Sequence, residues 1–198
     1  ISFILTSIFY AGAQAQVMGF GKSNLDCNWV DPIQSAYLSN HLTYRKKDNE
    51  LQKRVVEQFL KRLDPSKIYL LQADADKVTS DMKNLFKDIA AKKCDFIGES
   101  QKLLVKRIEE RNAHIKDYLG KSFKFNKETE FVYDPDKKEF PKTEEEANKF
   151  LDQYLQFQIA NYIATDMKLD EAKERVIKNH ERNLKRVKET KEEQLFAN

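Results

Sequence analysis

Glycine and proline are scarce in this sequence, which holds 5 glycines and 4 prolines among 198 residues. A β-sandwich or a glycine-rich α/β enzyme needs more of both residues at its turns, so these two classes are disfavoured. Charged residues make up 34% of the chain and hydrophobic residues 40%. This mixture is typical of amphipathic helices with solvated outer faces, and the length is sufficient for one domain with its own core.

Motifs that carry catalysis are also missing. The sequence has no GxSxG elbow, no P-loop and no GxGxxG fingerprint. A Ser–Lys nucleophile–base pair would need a strained glycine-rich turn and an oxyanion hole. The glycines are too dispersed to build such a turn: Gly12, Gly19, Gly21, Gly98 and Gly120. We therefore predict that this chain carries no catalytic residue.

Signatures of metal, cofactor and nucleic-acid binding are equally absent. His41, His114 and His180 are scattered, and no CxxC or HExxH spacing occurs. Lysine and arginine total 35 against 32 acidic residues, and the two signs alternate along the chain rather than forming blocks. The sequence therefore predicts no metal site, no cofactor and no nucleic-acid partner.

The first residues read as part of an export signal. Residues 1–10 are apolar and uncharged, and Ala13 and Ala15 are small residues at the spacing that signal peptidase requires. A membrane span needs about 20 apolar residues, and this run ends earlier. We predict a partial signal peptide over 1–15, a mobile polar leader over 16–28 and a periplasmic location. A retained membrane anchor is the alternative.

Export would change the meaning of the two cysteines, Cys27 and Cys94, because an exported protein meets an oxidising compartment. A bond between them would tie the mature N-terminus to the end of the third predicted helix. In the entropic model it would constrain the unfolded chain by roughly 4 kcal/mol. Two separate buried thiols are the alternative, and the residues alone leave both open.

Apolar residues recur every three or four positions along most of residues 29–198, the spacing of amphipathic helices. The first predicted helix covers about 31–44 and the third about 74–92. Gly120 is a natural stop for the fourth helix, and Thr143 with Glu146 forms a capping box before the fifth. We therefore predict an all-α domain over 29–198 with about six amphipathic helices.

One segment departs from the helical pattern. Residues 129–141 are rich in aromatic and β-branched side chains around an Asp-Pro-Asp turn, which predicts a short β-hairpin. An ordered loop without strands is the alternative. Isolated hairpins are marginally stable, so the segment must pack on the helices. Phe131, Tyr133 and Phe140 would then offer an exposed apolar docking surface.

The rest of the chain is organised around residues 63–78. Pro65 fixes its own φ and pushes Asp64 out of helical space, so the second helix ends there. Residues 68–71 are four consecutive apolar residues, which predicts a buried run. Asp74 can cap the helix that follows. From physical reasoning alone, this is a helix–turn–helix corner.

The corner Leu-Asp-Pro-Ser-Lys-Ile-Tyr-Leu-Leu-Gln-Ala-Asp at 63–74 resembles one in the N-terminal region of tail-specific (carboxyl-terminal processing) proteases. Four further stretches resemble that family in order and spacing. They are His-Leu-Thr-Tyr at 41–44, the Phe-Pro-Lys-Thr helix entry at 140–146, Arg-Asn-Leu-Lys-Arg-Val at 182–187 and Glu-Glu-Gln-Leu-Phe at 192–196. The resemblance covers most of the chain after the leader.

This resemblance implies an exported serine endopeptidase of the bacterial cell envelope that degrades proteins from their C-termini. In that family a helical N-terminal domain is joined to a PDZ domain and to a protease core with a Ser–Lys dyad. The positions that match the dyad lie beyond Asn198, so no catalytic residue is carried over. The implied role of this chain is to frame the substrate chamber and dock an adaptor or substrate. A stand-alone periplasmic binding protein or chaperone is the alternative.

Overall fold

The computed structural model describes most of the chain after the leader. The described residues are 26–120, 122–131, 133–134, 137–191 and 194–195. The predicted signal peptide and nearly all of the predicted leader lie outside them, as do most of residues 192–196.

The described residues form seven α-helices and no strand, which confirms the all-α prediction. None of these helices is long and apolar enough to cross a lipid bilayer. The helices are α1 Cys27–Asn40, α2 Asn49–Leu63, α3 Gln72–Asp81, α4 Leu85–Ala90, α5 Asp95–Tyr118, α6 Glu144–Ile163 and α7 Leu169–Glu189.

The third predicted helix is divided into α3 and α4, which is why seven helices are found where about six were predicted. A three-residue turn at 82–84 separates them. The amide of Gln52 in α2 donates to the Lys83 carbonyl oxygen at 2.9 Å, and this bond satisfies a backbone group that the break releases. Met82, Leu85 and Ile89 are all buried, so the apolar spacing survives the break.

α5 is the central helix and packs against α2, α3, α6 and α7. One buried cluster joins α5 to α6 and α7, and a second joins α2 to α3 and α4. A third cluster lies between the corner and α5 and contains Leu70, Leu104 and Ile108. The corner therefore contributes directly to the core on which the helices assemble.

α1 is attached to this body at one end. No residue of α1 is fully buried, and its main helical contact is with α4. The structure pairs Cys27 with Cys94 as a disulfide, with Cα atoms 5.8 Å apart, inside the usual range for such bonds. The pairing links the first turn of α1 to the residue that precedes α5. Formation of this bond in the protein stays a prediction.

The hairpin predicted at 129–141 is not seen among the described residues of that segment. They form an irregular connection between α5 and α6, here called the strap (residues 131–141, as far as described). Its aromatic side chains pack on α6 and on the corner. Each side chain thus has a helical partner, and the backbone needs no neighbouring strand to hold it in place.

Candidate docking surface

Asp64 organises the corner. The residue is 1% exposed, and its carboxylate accepts backbone N–H bonds from Ile68 at 3.2 Å, Tyr69 at 2.9 Å and Leu70 at 2.9 Å. α2 ends one residue earlier, as Pro65 predicts. The carboxylate therefore replaces the helical partners that these N–H groups lack in the turn.

Burial raises the pKa of Asp64, while the three N–H bonds and the nearby Lys138 act in the opposite direction. Tyr69, two residues before the end of the buried run, connects the corner to α7. Its hydroxyl accepts a hydrogen bond from Asn183 at 3.0 Å, and burial raises the pKa of the phenol to about 12. The corner is therefore fixed both by its own backbone and by α7.

Asp74 also serves the corner, although not as the predicted N-cap. α3 begins at Gln72, and the Asp74 carboxylate accepts the N–H of Leu71 at 2.8 Å. Arg107 of α5 binds the same carboxylate with two bonds, at 2.7 and 3.0 Å. This bidentate pair is 15% exposed at Arg107 and 9% at Asp74, so it holds α3 to α5 in a largely dry environment.

The ion pair extends to the start of α6. Arg107 also binds one oxygen of Glu144 at 2.6 Å, and Arg111 binds the other at 2.6 Å. Arg111 is 1% exposed and reaches Asn148 as well, at 3.0 Å. The network therefore fixes the entry of α6 relative to α5 and the corner.

The strap is anchored to the corner by its second half. Lys67 and Lys138 each donate a hydrogen bond to the backbone carbonyl of the other. The Pro141 carbonyl accepts the N–H of Gln72 at 2.8 Å. Phe140 packs on the third buried cluster, with the Lys67 ammonium 5.7 Å from its ring.

Lys138 has an unusual environment for a lysine. Its ammonium lies 4.1 Å from the centre of the Phe150 ring. Burial lowers the pKa of Lys138 to about 8, with Asp64 opposing this change and Lys67 adding to it. Lys138 thereby joins the corner, the strap and α6 at one point.

The first half of the strap lies on α6. The Phe131 ring is 5.5 Å from Phe150, 5.6 Å from Tyr154 and 5.3 Å from Phe157, while Tyr133 stacks on Phe131 at 6.0 Å. We call these five rings the aromatic patch. Phe157 remains 43% exposed, and Phe131 and Tyr133 are partly buried.

The structure thus brings together two of the three residues predicted to form a docking surface. Phe131 and Tyr133 belong to the aromatic patch, whereas Phe140 packs on the buried cluster near the corner. The three α6 rings of the patch were missed. A signal for them exists in the sequence, since Phe150, Tyr154 and Phe157 follow the i, i+4, i+7 spacing of one helical face.

One further polar pair could suggest chemistry. His114 of α5 and Asp152 of α6 are 2.7 Å apart, and burial raises the pKa of Asp152 against the opposing effect of His114. Within the described residues, the only hydrogen bond of the His114 ring is to this carboxylate, so no hydroxyl or thiol nucleophile is bound to it. In the same part of the chain, no three His, Cys, Asp or Glu residues are grouped as metal ligands.

Comparison with known proteins agrees with the resemblance seen at the corner. Residues 33–198 match the family described as the tail specific protease N-terminal domain. The tail-specific protease of Haemophilus influenzae is 24% identical over 157 residues, which are 79% of this chain and 23% of that relative. The chain thus matches about a quarter of the length of this curated relative. The chain belongs to the family of tail-specific protease N-terminal domains.

Proposed function

We propose that this chain is the non-catalytic N-terminal domain of an exported serine endopeptidase that degrades proteins from their C-termini in the periplasm. Family membership and the name of the Haemophilus influenzae relative support proteolysis as the activity of the parent protein. The apolar run at 1–10 supports export. Bond cleavage is supplied by parts of the polypeptide outside this chain.

Within that protein, the domain frames the substrate chamber and docks an adaptor or substrate through the aromatic patch. The observation that carries this role is the combination of exposure and fixation in the patch. Phe157 is 43% exposed, yet its neighbour Phe131 is held by three α6 rings. A preorganised aromatic surface binds a partner with little loss of side-chain entropy.

The surroundings of the patch suit a rigid wall. Arg107 and Arg111 fix the start of α6 through Glu144, and Lys138 fixes the strap above Phe150. The patch therefore has a defined position relative to α5. A partner that docks there is held at a constant distance from the helical core.

The test uses the full-length gene product and the double variant Tyr133→Ser/Phe157→Ser. These side chains lie at the outer part of the patch, whereas Phe131 lies at its centre and its loss would disturb packing. We expect the KM for degradation of a permanently unfolded protein to rise about tenfold, as the loss of two aromatic contacts implies. Asn161→Ser, an exposed change on α6, is the matched control and should leave KM unchanged.

Equal KM values for the double variant, the control and the wild type would reject docking through this patch. Circular dichroism of each variant shows whether the fold is intact. Export has its own test, because mass spectrometry of the mature protein should find Gln16 at the N-terminus, and a retained 1–15 segment contradicts cleavage. Reading the gene past Asn198 separates the protease from a stand-alone binding protein.

A further inference from the structure

The outward face of α1 carries no charge. All nine exposed residues of this helix are uncharged, although 34% of the whole chain is charged. They are Asn28, Trp29, Pro32, Ile33, Ser35, Ala36, Tyr37, Ser39 and Asn40.

α7 shows what a solvated helix of the same protein looks like. All eleven of its exposed residues are charged. Charged side chains are what a water-facing helix normally presents, and contact faces are depleted of them. The two helices were therefore shaped by different surroundings. The exposed α7 residues are Asp170, Glu171, Glu174, Arg175, Lys178, Glu181, Arg182, Lys185, Arg186, Lys188 and Glu189.

Three large side chains form a stripe along the outward face of α1. Trp29 is 54% exposed, Ile33 is 41% exposed and Tyr37 is 76% exposed, and their spacing of four places them on one side of the helix. Leu42, just past the helix end, is 92% exposed and continues the apolar edge. The opposite side of α1 packs on the second buried cluster through Val30.

The charges near this stripe favour an anionic surface. Asp31 is the one charged residue of α1, and it forms an ion pair with Lys47. No carboxylate is exposed between residues 27 and 47, while Arg45 and Lys46 are exposed close to Leu42. Cations beside exposed apolar side chains attract negatively charged lipid headgroups.

We propose that the outward face of α1 rests on an anionic lipid surface, with Trp29, Ile33 and Tyr37 at the headgroup boundary. Tryptophan and tyrosine combine an apolar ring with a polar group, which suits that boundary. A 14-residue helix is about 21 Å long. Its single face is too small for a stable dimer, which needs about 800 Å² from each partner. A lipid surface needs only the few side chains that reach it.

The attachment of α1 gives this contact a direction. The Cys27–Cys94 pairing and the ion pair of Asp31 with Lys47 hold the helix with its stripe facing outward. A helix fixed in this way presents a preformed face and loses little conformational freedom on contact. The bound domain would therefore have one orientation relative to the lipid.

The test uses the natural reporter in the stripe, because Trp29 is the one tryptophan of the chain. The protein is titrated with vesicles of phosphatidylethanolamine and phosphatidylglycerol, and with the same vesicles carrying brominated acyl chains. We expect a blue shift of Trp29 emission and quenching by the brominated lipid. Ile33→Ser/Tyr37→Ser keeps the reporter and should weaken partitioning about tenfold, since two apolar side chains lose their burial.

Two further variants sharpen the result. Phe157→Ser removes an exposed ring from α6 and should partition like the wild type. Arg45→Glu/Lys46→Glu should weaken binding to anionic vesicles and remove its salt dependence. Unchanged Trp29 emission overturns the proposal, even if the protein sediments with the vesicles, because binding would then come from another segment such as residues 1–10. Equal partitioning of Ile33→Ser/Tyr37→Ser and the wild type also overturns it.

Discussion

Replacing Asp64 tests whether one buried carboxylate holds the corner together. Asp64→Ala removes the acceptor of three backbone N–H groups and leaves them without a partner inside the protein. We expect the free energy of unfolding at neutral pH to fall by about 3 kcal/mol. Urea unfolding followed by far-UV circular dichroism measures the change.

The magnitude follows from the geometry. A hydrogen bond to a charged group contributes roughly 1.5–3 kcal/mol. The bonds from Tyr69 and Leu70 are short, at 2.9 Å, and the bond from Ile68 is longer, at 3.2 Å. Together they contribute about 5 kcal/mol, and removal of a buried carboxylate returns part of this because its desolvation is also relieved.

A second substitution at the same site separates charge from hydrogen bonding. One carboxylate oxygen of Asp64 accepts from both Tyr69 and Leu70, and the other accepts from Ile68. Asp64→Asn can place its carbonyl oxygen at the first position and lose only the Ile68 bond, so it should cost about 1.5 kcal/mol. Asp76→Ala, an exposed change in α3, is the control. A loss in Asp64→Ala within about 0.5 kcal/mol of the control would refute the role of Asp64.

The disulfide, the buried ion pair and the strap lysine give three further expectations. Non-reducing mass spectrometry should find Cys27 joined to Cys94, and Cys27→Ser should lower stability by about 4 kcal/mol for a separation of 67 residues; free thiols in the oxidised protein contradict this. Arg107→Met leaves the Asp74 carboxylate without its bidentate partner and should cost about 3 kcal/mol in urea unfolding, whereas an unchanged midpoint rules out the network. The folded pKa of Lys138, about 8, lies below its usual 10.5, so the unfolded chain binds more protons between these values and stability should rise with pH there. Lys138→Met should flatten that rise between about pH 8 and about pH 9.5, and an identical slope in both proteins excludes Lys138 as its source.

The helical class and the corner could be predicted because both depend on local rules. Pro65 ends α2 through its own ring, and the four apolar residues at 68–71 have no helical spacing that would leave one face in water. The capping box of Thr143 and Glu146 likewise marks the start of α6, where the Glu146 N–H binds the threonine hydroxyl at 3.1 Å. Each of these signals acts within a few residues.

The errors arise where distant residues decide the structure. The break between α3 and α4 is accompanied by a bond from Gln52 to Lys83, which are 31 positions apart. Asp74 was expected to cap a helix, but Arg107, 33 positions away, also binds its carboxylate. Periodicity carries no information about such partners, so sequence reasoning found the residues and assigned only part of their roles.

The strap shows why a β-like composition can produce no strand in the described residues. Phe131 and Tyr133 have the aromatic character that favours strands, yet strand propensity largely measures how well a side chain packs on a half-buried surface. α6 provides that surface, because Phe150, Tyr154 and Phe157 form a second apolar face in addition to the one that meets α5 and α7. A helix that is apolar on two sides needs two covers, and the aromatic segment just before it is the nearest available cover in the chain. The unusual composition of α6 and the unusual composition of the strap are therefore two signs of one contact.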